Sequence, residues 1–229
     1  MLILPIGDNN PRKSIPAVNY LLLAANILLF LYVLTGSSYQ RQAVYWNYGL
    51  IPAAFHGDPL GTLGHDWWKL VTSLFLHGSI AHLVGNMLFL WIAGDNVEDR
   101  LGHLGYLVFY LLAGVVANMG HIVMAAGLAA SVPCVGASGA IAGVLGAYVV
   151  WFPHRRIKFW YFFFFLMGTF SVPSIYAIGA WFLEQLWLGT SPMIAHSTGV
   201  AYWAHIGGFI FGALMVLAFK FAETWEAEH

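Results

Sequence analysis

Residues 135–140 read Val-Gly-Ala-Ser-Gly-Ala and open an apolar run, rich in small residues, that continues to Phe152. Ser138 lies between Gly136 and Gly139, which lack a Cβ, so the backbone can turn sharply before the serine and approach another chain closely after it. A serine at the start of a helix is usually an N-cap, and a Gly-x-Ser-Gly run alone is weak evidence for a nucleophile. Whether Ser138 is reactive therefore depends on the residues that the fold brings beside it.

The composition is that of a membrane protein. Of the 229 residues, 60% are hydrophobic and 17% are aromatic, while only 8% are charged. Water-soluble domains contain far more charge than this. The formal net charge is −1, which gives no reason to expect a nucleic-acid partner. Cys134 is the one cysteine, so an intrachain disulfide is excluded.

Apolar segments predict the membrane helices. They are residues 18–35, 80–94, 106–128, 139–152, 159–188 and 200–221. We therefore predict an all-α fold, a polytopic six-transmembrane-helix bundle. Residues 18–221 form the membrane domain in this interpretation, with cytosolic segments at residues 1–17 and 222–229.

The basic residues predict the orientation of the chain. Seven of them fall on the side of the two termini and only Arg41 and Lys69 fall on the other side. The seven are Arg12, Lys13, Arg100, Arg155, Arg156, Lys158 and Lys220. By the positive-inside rule, both termini are expected in the cytosol.

Polar residues on three segments fall at one depth. Ser138 lies about 21 Å from Phe152 at 1.5 Å per residue, and His205 lies about 22 Å from Lys220. His82 lies about 20 Å from Asp95, with Asn86 one turn lower on the same face. Because polar side chains in a bilayer normally face the bundle interior, we expect these four to meet.

Small residues predict which helices touch. His205, Gly208 and Gly212 share one face of the last segment. Ser138, Ala142 and Gly146 form a matching stripe at i, i+4 and i+8. Such faces allow two backbones to approach closely, and packing them together carries Ser138 toward His205.

This set of residues suits acyl transfer. A serine hydroxyl needs a base to take its proton, and histidine is the usual one. His82, the Asn86 amide and the Ser138 backbone N–H are available to stabilise an oxyanion. No carboxylate is expected beside His205, so we predict a Ser-His dyad. Glu184 is the nearest acidic candidate for a third member, on a helix of unknown orientation.

Several separated motifs resemble the rhomboid family of intramembrane serine proteases, over roughly residues 15–220. Residues 77–86 read His-x-x-x-x-His-x-x-x-Asn, like the second-helix signature of the family. Residues 136–140 resemble its serine motif, and residues 204–212 resemble its sixth helix, Ala-His-x-x-Gly-x-x-x-Gly. Val97-Glu98 followed by Gly102 resembles the loop after the second helix. Jointly these motifs are highly specific.

The resemblance implies roles for individual residues. Ser138 is the nucleophile and His205 the general base, while His82 and Asn86 line the oxyanion hole. His77 matches an auxiliary position near the site.

Two positions depart from the family pattern. The Trp-Arg pair of the family is Trp68-Lys69 here, which keeps the charge and loses the planar guanidinium. Ala142 stands where some members carry a tyrosine that stacks on the catalytic histidine, which leaves the orientation of His205 open.

The same resemblance implies a substrate and a location. Substrates are single-pass membrane proteins, cleaved within or near the bilayer, and the six-helix form is that of a bacterial inner membrane protein. The fifth helix, with Pro173 as its hinge, is a hypothetical lateral gate, and Gly61 belongs to a loop that could cap the site. No cofactor and no metal are expected.

Two other functions are weighed. One is a non-catalytic membrane protein of the same fold that binds client helices. The other is a metal or haem site built from His77, His82 and His205. Residues five apart do not share a helix face, and no carboxylate orients these histidines, so the metal site is disfavoured.

Overall fold

The computed structural model describes residues 2–56, 66–191 and 199–228. In chain order the elements are β1 (Leu2–Asp8), α1 (Ala17–Leu34), α2 (Ser38–Tyr48), a 3₁₀ turn (Pro52–Phe55), α3 (Lys69–Thr72), a second 3₁₀ turn (Ser73–Phe75), α4 (Ile80–Met124), α5 (Leu128–Ser131), α6 (Ser138–Trp151), β2 (Arg156–Phe163), β3 (Leu166–Pro173), α7 (Ser174–Thr190) and α8 (Tyr202–Glu228). Helices α4, α6 and α8 pack together at the centre. Gly61 lies outside the described residues.

Apolar helices of spanning length confirm a multi-pass membrane protein. Within the described ranges, α1, α4 and α8 are long and apolar enough to cross a bilayer, whereas α6 is shorter. The 45-residue α4 breaks at Gly102, whose φ of 70° and ψ of 167° are not helical. The halves before and after this glycine each extend about 33 Å, enough to span the hydrocarbon layer. The count of six spans stays a prediction, because α6 and α7 have only 14 and 17 residues.

The all-α prediction is wrong for two segments, which form a three-stranded sheet in the order β1-β2-β3. β2 pairs antiparallel with β3 from Arg156↔Pro173 to Phe163↔Leu166, and β1 pairs with β2 from Leu2↔Phe162 to Asp8↔Ile157. The fifth predicted span, residues 159–188, is therefore a hairpin strand pair followed by a helix that begins at Ser174. Aromatic runs suit strands as well as membrane helices, so composition alone did not separate them.

Glu98 joins α1 to α4 at the end of the bundle where the sheet lies. Its carboxylate is 1% exposed and accepts hydrogen bonds from the backbone N–H groups of Val18 (3.0 Å) and Asn19 (2.7 Å). The N-cap of α1, Pro16, offers no side-chain hydrogen bond. Glu98 thus satisfies donors that every helix start leaves free.

Helices α6 and α8 touch through glycine. A Cβ on Gly208 would collide with the carbonyl oxygen of Gly139, and one on Gly212 would collide with that of Gly143. The predicted stripe on α6 was Ser138, Ala142 and Gly146. Gly146 does lie in the contact, where a Cβ would collide with the carbonyl oxygen of Phe209. Nearer the start of α6 the contact face is turned by one residue, to Gly139 and Gly143. This rotation leaves Ser138 at the edge of the contact, where its hydroxyl reaches an open cavity.

Candidate active site

Ser138 and His205 form a direct contact. Ser138 is the first residue of α6 and His205 lies in the first turn of α8. The hydroxyl Oγ of Ser138 is 2.8 Å from Nε2 of His205. The glycine contact between the two helices makes this possible, since a bulkier interface would separate their starts.

The backbone before Ser138 is held from two sides. Leu50 and Cys134 form an antiparallel bridge, with N···O distances of 3.0 and 2.7 Å. The N–H of Gly136 donates to the carbonyl of Ser73 at 2.9 Å. Gly136 has a φ of +135°, and a Cβ there would lie 2.7 Å from the ring of His82. Gly136 therefore allows the chain to turn before Ser138 and also allows the His82 ring to approach the backbone closely.

The predicted oxyanion residues lie beside this turn. His82 and Asn86 both line the cavity that contains Ser138. The Asn86 amide Nδ2 lies 2.9 Å from Nε2 of His77, a side chain only 1% exposed. This nitrogen carries two hydrogens, so one can bond His77 while the other serves a substrate. His77, whose role the sequence left open, thus orients Asn86.

Helix α6 adds backbone donors at the same place. Its N-cap, Ala137, makes no side-chain hydrogen bond. The first N–H groups of a helix have no intrahelical partner, and the helix dipole favours negative charge there. The Ser138 N–H is one of these donors.

His77 and His82 do contact each other, contrary to the expectation from helix geometry. Their rings meet edge to face with centroids 5.2 Å apart, because His77 precedes α4 instead of lying on it. Among the described residues, no group of three or more His, Cys, Asp or Glu side chains is arranged to hold a metal ion.

Residues of α7 that the sequence reasoning missed surround His205. Nδ1 of His205 is 2.7 Å from Oε1 of Gln185. The Trp181 ring lies 5.9 Å from the imidazole at an interplanar angle of 37°. On α8 itself, the Tyr202 ring lies 6.4 Å away at 88°. Glu184, the acidic candidate, is exposed. The one signal in the sequence was a polar residue, Gln185, within an apolar segment, a kind of residue that often has a function.

A cavity of about 730 Å³ opens onto the Ser-His pair. Its lining includes His82, Asn86, Ser138, Trp181 and His205. Cys134 also lines it, and desolvation of the sulfur raises the pKa of this thiol to about 12. A protonated thiol is a poor nucleophile, so Ser138 has no competitor in Cys134.

A second, apolar cavity of about 360 Å³ adjoins the first. It lies between α4, α7 and β1, with Leu88, Ile178 and Leu4 in its lining. Gly85 and Trp181 line both cavities. The two cavities therefore share part of their lining between α4 and α7.

The two departures from the family pattern have structural consequences. The Lys69 ammonium pairs with Asp66 at 2.8 Å and reaches the carbonyl of Trp46 at 3.4 Å. Ala142 is fully buried and places no ring against His205, so Trp181 supplies the aromatic neighbour from α7 instead.

Comparison with known proteins finds similarity to one protein family. A family model described as the rhomboid domain matches residues 64–220. Rhomboid protease GluP of Bacillus subtilis (strain 168) is 36% identical over 133 residues, 58% of this chain and 24% of that protein. Putative rhomboid protease YdcA of the same organism is 32% identical over 116 residues, 47% of this chain and 57% of that protein.

Mitochondrial proteins are also among the relatives. Rhomboid protein 1, mitochondrial, of Saccharomyces cerevisiae (strain ATCC 204508 / S288c) is 32% identical over 151 residues, 64% of this chain and 40% of that protein. The chain thus spans between 24% and 57% of the length of these three relatives.

Proposed function

Because the chain belongs to the rhomboid family, we propose that it is an intramembrane serine endopeptidase that cleaves single-pass membrane proteins with Ser138 and His205. The proposal rests on one observation above all, the 2.8 Å contact between Oγ of Ser138 and Nε2 of His205. Two relatives carry names that describe a rhomboid protease, one of them as putative.

The chemistry follows from the donors and acceptors around this pair. His205 Nε2 accepts the Ser138 proton as Oγ attacks the scissile carbonyl carbon, and the carbonyl oxygen becomes an oxyanion. The Ser138 N–H, the free Asn86 amide hydrogen and His82 stabilise that oxyanion. The imidazolium then protonates the leaving amine, and water hydrolyses the acyl-serine by the same steps in reverse.

The proposed substrate route is the apolar cavity between α4 and α7. A transmembrane segment that unwinds near the Ser-His pair would expose its peptide bonds, which an intact helix shields. Trp181 borders both cavities, so α7 must yield for a helix to pass. A disulfide that crosslinks α4 to α7 should block cleavage of a membrane substrate, and unchanged cleavage would exclude this route.

We place the protein in a bacterial inner membrane, with both termini on the cytosolic side. The support is the excess of basic residues on that side, seven against two. Reporter fusions at residue 229 and within the α2 region test the orientation, and the opposite pattern of reporter activity would reverse it.

The test of the activity is labelling with a fluorophosphonate probe. In liposomes, the probe should label the wild-type protein but neither Ser138→Ala nor His205→Ala. A transmembrane substrate should likewise be cleaved only by the wild type. Each variant is checked for folding by its thermal transition.

The outcomes separate the candidate functions. Labelling that persists in Ser138→Ala would contradict the mechanism. A folded wild type that neither labels nor cleaves would favour the non-catalytic, client-binding function.

A further inference from the structure

Gln185 is the side chain that faces the second nitrogen of the histidine. Its Oε1 lies 2.7 Å from His205 Nδ1, and the side chain is 5% exposed. On the opposite edge of the ring, Nε2 faces Ser138 at 2.8 Å. Both ring nitrogens therefore have one defined partner each, supplied by α7 and α6.

The amide oxygen of Gln185, placed toward Nδ1, favours one tautomer of His205. This oxygen can only accept a hydrogen bond, so the facing Nδ1 carries the hydrogen. A neutral imidazole has one N–H, which leaves a lone pair on Nε2. That lone pair is what Ser138 needs, whereas the other tautomer would present a hydrogen to Oγ and could not take the serine proton.

The amide also suits the surroundings better than a carboxylate would. An ionised side chain inside a membrane protein is expensive, and it must be paired or hydrated. Gln185 offers an acceptor for the Nδ1–H, both before and after His205 becomes protonated, without adding a buried charge. Glu184, the adjacent carboxylate, is exposed.

Helix α7 holds the ring in place as well. Trp181 lies one turn before Gln185 on the same helix face and packs against the imidazole. Ala142 of α6 contributes no ring at this position. Orientation of His205 thus comes from α7.

We propose that Gln185 is a positioning residue that holds His205 in the tautomer able to accept the Ser138 proton, a role filled by a carboxylate in Ser-His-Asp hydrolases. This inference rests on the proposed protease function. Gln185 would then be a third functional residue beside Ser138 and His205, and its side chain carries no charge.

Steady-state cleavage of a transmembrane substrate in liposomes provides the first test. Gln185→Leu should lower kcat about 100-fold, the scale of general-base catalysis, with KM unchanged. Glu184→Gln, the matched neighbour, should behave as wild type. Wild-type kcat in Gln185→Leu would overturn the proposal.

A spectroscopic test is independent of turnover. In ¹⁵N-histidine-labelled protein, His205 should show Nδ1 protonated and Nε2 unprotonated, and Gln185→Leu should lose that preference. A wild-type His205 protonated at Nε2 would refute the assignment even in an active enzyme. If fluorophosphonate does not label the wild type, the proposed protease function is rejected. The spectrum still tests the role of Gln185 in that case. Gln185→Met serves as the second variant if Gln185→Leu does not fold.

Discussion

At the scale of single residues, Gly136 is restricted both by its backbone conformation and by the space around it. Its φ of +135° disfavours every side chain, and the His82 ring occupies the space that a Cβ would need. A ring displaced from this place could no longer point at the oxyanion of the proposed reaction. Ser138 and His82 are thus positioned by the same glycine.

Gly136→Ala should therefore lower kcat/KM about 100-fold, because a displacement of about 1 Å at a reacting centre has that effect. Gly179→Ala is the matched control, since a Cβ there meets nothing within 4 Å. The measurement is cleavage of a transmembrane substrate per folded molecule. Equal activity in both variants would show that the close contact between Gly136 and the His82 ring is not needed for cleavage.

At the scale of helices, the α6–α8 contact determines whether the Ser-His pair exists. Gly212 packs against the Gly143 carbonyl so closely that a single methyl group has no room. The pair lies at the start of both helices, so a shift of α8 along α6 moves His205 away from Ser138. The helix packing and the contact between Ser138 and His205 therefore depend on the same glycines.

Gly212→Ala should lower the free energy of unfolding by about 1–3 kcal/mol, as overpacking usually does. Gly207→Ala is the neighbouring control, because a Cβ there would lie 3.7 Å from the Ala117 Cα, an ordinary contact. Unfolding in mixed detergent micelles gives both values. A Gly212→Ala variant as stable as Gly207→Ala would contradict the close packing of α6 on α8.

At the scale of the whole molecule, the sheet and the ends of the helices form a second polar centre away from the site. Asp8 of β1 accepts hydrogen bonds from the Tyr148 hydroxyl and from Asn96 at 3.3 Å. Asp99 accepts from the backbone N–H and the hydroxyl of Ser14. The N-terminal segment is thereby attached to α4 and α6.

The stability of this centre should depend on pH through Asp8. Burial, with a smaller contribution from the nearby Asp95 charge, raises the pKa of Asp8 to about 6, against the lowering effect of the Tyr148 hydroxyl. Protonated Asp8 therefore favours the folded state below about pH 4, and this contribution is lost as the pH rises through about 6.

Relative to Asp8→Asn, the wild type should gain about 1 kcal/mol of unfolding free energy between pH 7 and pH 5. Unfolding in detergent micelles at both pH values measures the difference. The same pH dependence in both proteins would remove Asp8 as its source.

Sequence patterns predicted the helices and the layer of polar residues more closely than the sheet. Ser138 and His205 were expected at one depth from the helix rise, and they lie 2.8 Å apart. The β1–β2 pairing joins residues more than 140 positions apart, so no local pattern reports it. Gln185 could not be assigned, because a short apolar helix with exposed residues on most sides does not reveal its rotation.

Helix α7 is hydrogen-bonded to the residues before β2 at its start, and farther along it packs on α8. The Ser174 hydroxyl donates to the carbonyl of Phe152 at 2.5 Å, and its N–H donates to that of Arg155 at 2.7 Å. Gln185 lies about 16 Å along the helix, so a tilt of about 10° about Ser174 would move it by about 3 Å. A hydrogen bond does not survive that displacement. On the proposed substrate route, a tilt of α7 that admits a segment would break the hydrogen bond between Gln185 and His205, and the bond would form again when the helix returns. Entry of the segment and readiness of the proposed base would then exclude each other.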